Sequence, residues 1–89
     1  MRIIATQNFR RAWRGLTPQM QRIVASKISQ LAENPAHPSL QKHRLRQAKG
    51  ADIWICYISI NKRLLYQYKD GTIYLWDVGE HSIVDKAHL

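Results

Sequence analysis

Apolar and polar positions alternate through three runs near the end of the chain. The runs are DIWICYIS, RLLYQYK and TIYLWDV, separated by Ile60-Asn61-Lys62 and by Asp70-Gly71. β-Branched and aromatic residues broken by such punctuation predict strands. Asp70-Gly71 is a two-residue hairpin signal, because a type I′ turn needs φ > 0 at both central positions. The C-terminal half therefore reads as a three-stranded antiparallel meander.

A two-residue turn fixes the pairing by counting back from Lys69 opposite Thr72. Tyr68–Ile73, Tyr66–Leu75 and Leu64–Asp77 fall on one face, and Gln67–Tyr74, Leu65–Trp76 and Arg63–Val78 on the other. Arg63 is the one charge inside the apolar middle of this sheet. For the first run, a three-residue loop at 60–62 puts Trp54, Cys56 and Ile58 toward the core and Ile55 and Tyr57 beside Arg63. A two-residue loop at Asn61-Lys62 reverses this. The longer loop is preferred, because it buries an aromatic, a thiol and an aliphatic side chain.

The N-terminal half has a different period. Residues 2–5 form a short apolar run, read as an edge or second strand. In residues 7–16, Phe9, Ala12, Trp13 and Leu16 share one helical face, with Arg10, Arg11 and Arg14 on the other. Thr6 can cap this helix. Thr17-Pro18 starts a second, with proline at its first position. Its apolar stripe is Met20, Ile23, Val24, Ile28 and Leu31, and Asn34-Pro35 ends it. So short a connection implies an αα-hairpin. Residues 40–49 (LQKHRLRQAK) read equally as a strand, a loop or a frayed turn, and 82–89 as a tail or a short last helix. The expected class is α+β: an N-terminal strand, a two-helix hairpin, then a twisted antiparallel sheet, all in one domain spanning 1–89.

Charge narrows the range of partners. The net charge is +8. Residues 1–50 carry ten Lys and Arg against Glu33 alone, whereas 51–89 are nearly balanced. An arginine-rich half of this kind favours a polyanion, with nucleic acid first and an acidic protein second. Cys56 is the single cysteine, which fits a reducing compartment and a buried hydrophobe rather than a nucleophile. No run is long enough to span a bilayer, and the first residues do not read as a signal peptide. The expectation is a cytoplasmic protein with no membrane partner. His37, His43, His81 and His88 lack ligand-like spacing, so neither metal nor other cofactor is expected.

With these elements in order, the chain resembles the RelE/ParE superfamily of toxins from bacterial toxin–antitoxin modules. The resemblance runs from RIIAT and Phe9 through LAENPAHPSL and HRLRQAKGADIW. It is most specific in KRLLYQYKDGTIYLWDVGEHSIV, which looks like a "YRLIY…g.I.LL.VG.H" pattern. It implies a twisted sheet with two helices on one face, an acidic antitoxin as partner, and one of two activities. RelE-like members cleave mRNA on the ribosome, and ParE-like members poison DNA gyrase. The RelE-like reading is the expected one. A non-catalytic RNA- or antitoxin-binding relative is a further alternative.

Metal-free RNA cleavage attacks the phosphodiester with the ribose 2′-OH. It needs groups to move protons and a cation for the phosphorane. The resemblance assigns Arg63, in RLLY, to the phosphorane and His81, in VGEH, to proton transfer. Lys42, His43, Arg44 and Arg46 would clamp mRNA or ribosomal RNA backbone. Tyr74 and Trp76 would stack on bases, and Lys86 could reach the site from the tail, as could His88. Trp54 is assigned to the core. The chain departs from the family at Tyr57, near which relatives often carry arginine. It departs again at Val84-Asp85, where many relatives have an aromatic.

Overall fold

The computed structural model describes residues 2–45, 52–80 and 82–83. The elements are β1 (Arg2–Ala5), α1 (Gln7–Arg14), α2 (Pro18–Glu33), β2 (His43–Arg44), β3 (Ile53–Ser59), β4 (Lys62–Lys69) and β5 (Thr72–Glu80), with a 3-10 turn at Pro38–Leu40. Both helices start on threonine. The Thr6 hydroxyl accepts from the Phe9 N–H and donates to the Leu75 carbonyl, which ties the cap to the sheet. The Thr17 hydroxyl accepts from the Met20 N–H. Each cap satisfies a backbone donor that the helix leaves open.

The five strands form one sheet in the order β1-β5-β4-β3-β2. β3, β4 and β5 form the expected antiparallel meander, and β2 adds a fourth antiparallel strand within the stretch 40–49 that reads equally as strand, loop or turn. β1 lies at the edge and runs parallel to β5, so the sheet is mixed. The β4–β5 turn places Asp70 at φ 52° and Gly71 at φ 75°, both left-handed, as a type I′ turn requires.

The expected register holds from Lys69–Thr72 to Tyr66–Leu75 and then shifts by one. Leu64 faces Val78, Leu65 faces Asp77, and Arg63 faces Gly79, correcting the Leu64–Asp77, Leu65–Trp76 and Arg63–Val78 pairs. The cause is a bulge in β5. An unbroken ladder would drive the Asp77 carboxylate under the helices; the extra residue brings Val78 there instead. The β3–β4 connection is also tighter than expected. Ser59 pairs with Lys62, which leaves a two-residue turn at Ile60-Asn61, and a second bulge lies between Tyr57 and Ser59. That bulge supplies the parity attributed to the longer loop, so Cys56 and Ile58 still enter the helix-side core and Trp54 packs on it.

The core is split by the sheet. On the helix side Phe9, Val24, Leu31, Leu40, Cys56, Leu64, Tyr66, Ile73, Leu75 and Val78 form the main cluster. The opposite side holds a small one of Leu45, Ile53, Ile55 and Leu65, covered by Trp76 and Ile83. Burial pushes the Cys56 thiol from 9.0 up to about 12, against a smaller opposing pull from Lys27. Tyr66 is raised as well, first by burial and then by the charge Cys56 would carry. Both acids ionise more easily when unfolded. Above pH 9.0 the unfolded chain therefore binds fewer protons at Cys56 than the folded one, and stability falls as pH rises toward 12. The slope approaches, at most, about 1 kcal/mol per pH unit for the thiol. Urea midpoints on either side of pH 9.0 should show the loss, and Cys56→Ala should reduce it, leaving the part that belongs to Tyr66. An equal alkaline slope in Cys56→Ala would remove the thiol from this account.

Candidate functional site

β4 sets the site by alternation. Leu64 and Tyr66 enter the helix-side core, so Arg63, Leu65 and Gln67 face the helix-free side. Arg63 is half-buried there. Its cross-strand neighbours are Tyr57 on β3 and Gly79 on β5. The guanidinium carbon lies 5.1 Å from the centre of the Tyr57 ring. Nη1 donates to the Ser59 carbonyl at 2.7 Å and to the Lys62 carbonyl at 2.9 Å.

The nearby carboxylates are occupied elsewhere. Glu80 pairs with Lys62 at 2.8 Å, and an Asp77 oxygen accepts from the Val78 N–H. Among the described residues Nε and Nη2 of Arg63 have no partner. A positive fork on the helix-free face, with no anion paired to it among the described residues, is suited to bind a phosphate.

Gly79 opposite Arg63 has a steric reason. A Cβ there would meet Ile83 Cγ2 at 3.2 Å. Ile83 packs on the small cluster, so the chain beyond β5 has returned to the Arg63 face by residue 83. His81, Arg46, Lys86 and His88 lie outside the described residues.

The remaining candidates divide between the two sides. Tyr74 pairs with Gln67, and Trp76 packs on Leu65 and its cluster, which places both on the Arg63 face. His43 pairs with Ile55 and shares that face. Arg44 pairs with Trp54 on the helix side. Lys42 Nζ and Arg44 Cζ lie 5.4 and 5.3 Å from the Trp54 ring centre, and Arg44 also meets Asp52 at 3.1 Å. His43 and Arg44 therefore face opposite sides of the sheet, because a strand sends successive side chains to opposite faces.

Lys42 and Trp54 line a cavity of about 270 Å³ with Asp52, Tyr66 and Tyr68. A wider groove of about 490 Å³ runs between the helices over Phe9, Trp13 and Ile28, edged by Arg10 and Arg14. Neither is lined by Arg63, which is half-buried on the helix-free face. Among the described residues no three His, Cys, Asp or Glu side chains gather where a metal could bind.

The candidate site residues named from sequence do not include Tyr57 or the Ser59 and Lys62 carbonyls. The Tyr57 contact was implicit in the strand pairing, whereas the carbonyl contacts had no signal in residue type.

No family model and no curated protein matches the sequence. Solved structures do. A metal-bound toxin from Helicobacter pylori is 23% identical, with 93% of this chain and 97% of that one covered and a TM-score of 0.75. YafQ from E. coli strain BL21(DE3) is 13% identical, with 94% and 98% covered and a TM-score of 0.77. The intact E. coli RelBE toxin–antitoxin complex contributes a chain at 21% identity, with 89% and 94% covered and a TM-score of 0.68. This chain has the RelE-type toxin fold. Coverage is nearly complete in both directions, so the two helices, the mixed sheet and the helix-free face of this chain all belong to the RelE-type fold. No helix among the described residues is long and apolar enough to cross a membrane.

Proposed function

We propose that this chain is the toxin of a toxin–antitoxin module, and that it cuts mRNA on the ribosome in the cytoplasm without a metal. The observation that carries this reading is Arg63: a guanidinium fixed on the helix-free face, with its neighbouring carboxylates engaged elsewhere. In the proposed reaction the 2′-OH loses its proton and attacks the adjacent phosphorus. The 5′-oxygen leaves with a proton, and a cyclic phosphate remains. Arg63 stabilises the negative charge that grows on the phosphorane, where a preorganised donor acts most strongly. His81 is assigned to proton transfer.

Tyr74 and Trp76 lie on the same face and supply surfaces for bases. Among the described members of the basic stretch, His43 joins them. Lys42 and Arg44, on the other side of the sheet, are assigned to ribosomal RNA rather than to the cleaved strand. Arg46 and Lys86 are assigned to RNA backbone. The partner that restrains the toxin is an acidic antitoxin, in keeping with the net charge of +8. Two of the similar solved structures are the E. coli RelBE and DinJ-YafQ toxin–antitoxin complexes.

Induction in bacteria, followed by parallel measurement of new protein synthesis and of DNA supercoiling, tests the activity. Translation should stop first, with cleaved messages accumulating. Early DNA breaks while translation continues would replace this reading with gyrase inhibition.

A further inference from the structure

An arginine free to rotate is a poor receptor, because binding must first freeze its long side chain. Arg63 is already held at three points. The guanidinium carbon lies over the Tyr57 ring, 5.1 Å from its centre, and the Ser59 and Lys62 carbonyls take Nη1 at 2.7 and 2.9 Å. All three come from the bulged β3–β4 hairpin. The bonds on Nη1 fix the direction of the fork, and the Tyr57 ring face lies against the cation. The edge left over is Nε–H with the Nη2 hydrogens, unpartnered among the described residues. Those parallel donors match two oxygens of a single phosphate.

We infer that Tyr57 is a positioning residue, and that with the two carbonyls it makes Arg63 a receptor for one phosphodiester. The inference rests on the RNA reading only for the identity of the strand; binding at the fork needs no cleavage. Tyr57 acts through its ring, since the stacked face holds the cation and the hydroxyl is not required. Tyr57→Phe should therefore behave as the native chain. Tyr57→Ala should release the fork and weaken binding about tenfold, the scale of a partly desolvated cation–π contact.

The probe is a fluorescent single-stranded DNA decamer, which lacks the 2′-OH and cannot be cut by this chemistry. Binding to the full chain is followed by anisotropy at low salt, with circular dichroism to monitor folding and Tyr57→Leu as a second variant that keeps apolar bulk. Tyr57→Ala and Tyr57→Leu should weaken binding. Tyr57→Ala combined with Arg63→Ala should bind no worse than Arg63→Ala alone, because a residue that acts through Arg63 has nothing left to position. The ¹⁵N–¹H signal of Arg63 Nε should move with Tyr57→Ala and stay with Tyr57→Phe.

Independent, additive losses would overturn the inference by making Tyr57 a separate contact. Equal damage from Tyr57→Phe and Tyr57→Ala would overturn it by making the hydroxyl essential. No decamer binding by the native chain would remove the receptor itself. Native binding with this coupling, but without RNA cleavage, would sink the nuclease reading and leave the receptor standing.

Discussion

Arg63→Ala is expected to abolish growth arrest while leaving the protein folded. In single-turnover cleavage on programmed ribosomes the loss should be about 10²–10³-fold, the usual cost of removing one preorganised donor from a developing oxyanion. The side chain contributes little to the fold. It lies on the helix-free face, outside the main core, and its two hydrogen bonds go to backbone carbonyls at the β3–β4 turn. Arg63→Lys should rescue poorly. An ammonium keeps the charge but lacks the planar fork, so it cannot stack on Tyr57 in the same way or offer two parallel donors. Arg22→Ala makes the same charge change on an exposed position of α2 and should leave cleavage unchanged. Equal losses in Arg22→Ala and Arg63→Ala would mean that net charge, rather than a site, drives the activity. A folded Arg63→Ala chain that cleaves at the native rate would take Arg63 out of the mechanism.

The residues that were legible in the sequence are those whose signal is local. Thr6 and Thr17 cap the helices because a hydroxyl just before an apolar-periodic stretch has a vacant N–H within reach. Asp70-Gly71 makes its turn because few residue pairs accept two left-handed positions. The parallel pairing of β1 with β5 was not legible, since four residues of RIIA carry no information about direction. The bulges were missed because an inserted residue changes no composition. Asp77 nonetheless gave a clue: an unbroken register would have faced its carboxylate against Leu64 in the core. The division of the basic stretch also escaped notice, because β2 has two residues and no visible period.

Bulges and alternation together give neighbouring residues of β4 opposite duties, and Leu64→Ala tests this. Leu64 is 0% exposed and sits in the main cluster with Val24, Leu31, Cys56, Tyr66 and Val78. Truncation removes buried methyl groups and leaves a cavity that a sheet flanked by strands on both sides cannot easily close. The expected cost is about 2–5 kcal/mol. For a domain of this size that is a fall in Tm of roughly 10–30 °C. Leu65→Ala should cost less. Leu65 is equally hidden at 2% exposed, but its cluster among the described residues is small and is covered there by Trp76 and Ile83, so those side chains can settle into the gap. Thermal unfolding followed by circular dichroism measures both. At a temperature where Leu64→Ala is still folded, its cleavage rate should approach that of the native chain, because the side chain points away from the Arg63 face. An unchanged Tm in Leu64→Ala would mean that the helix-side cluster is not the principal core. A folded Leu64→Ala chain as inactive as Arg63→Ala would mean that the two faces of β4 are mechanically coupled, and the site would then extend through the sheet rather than rest on it.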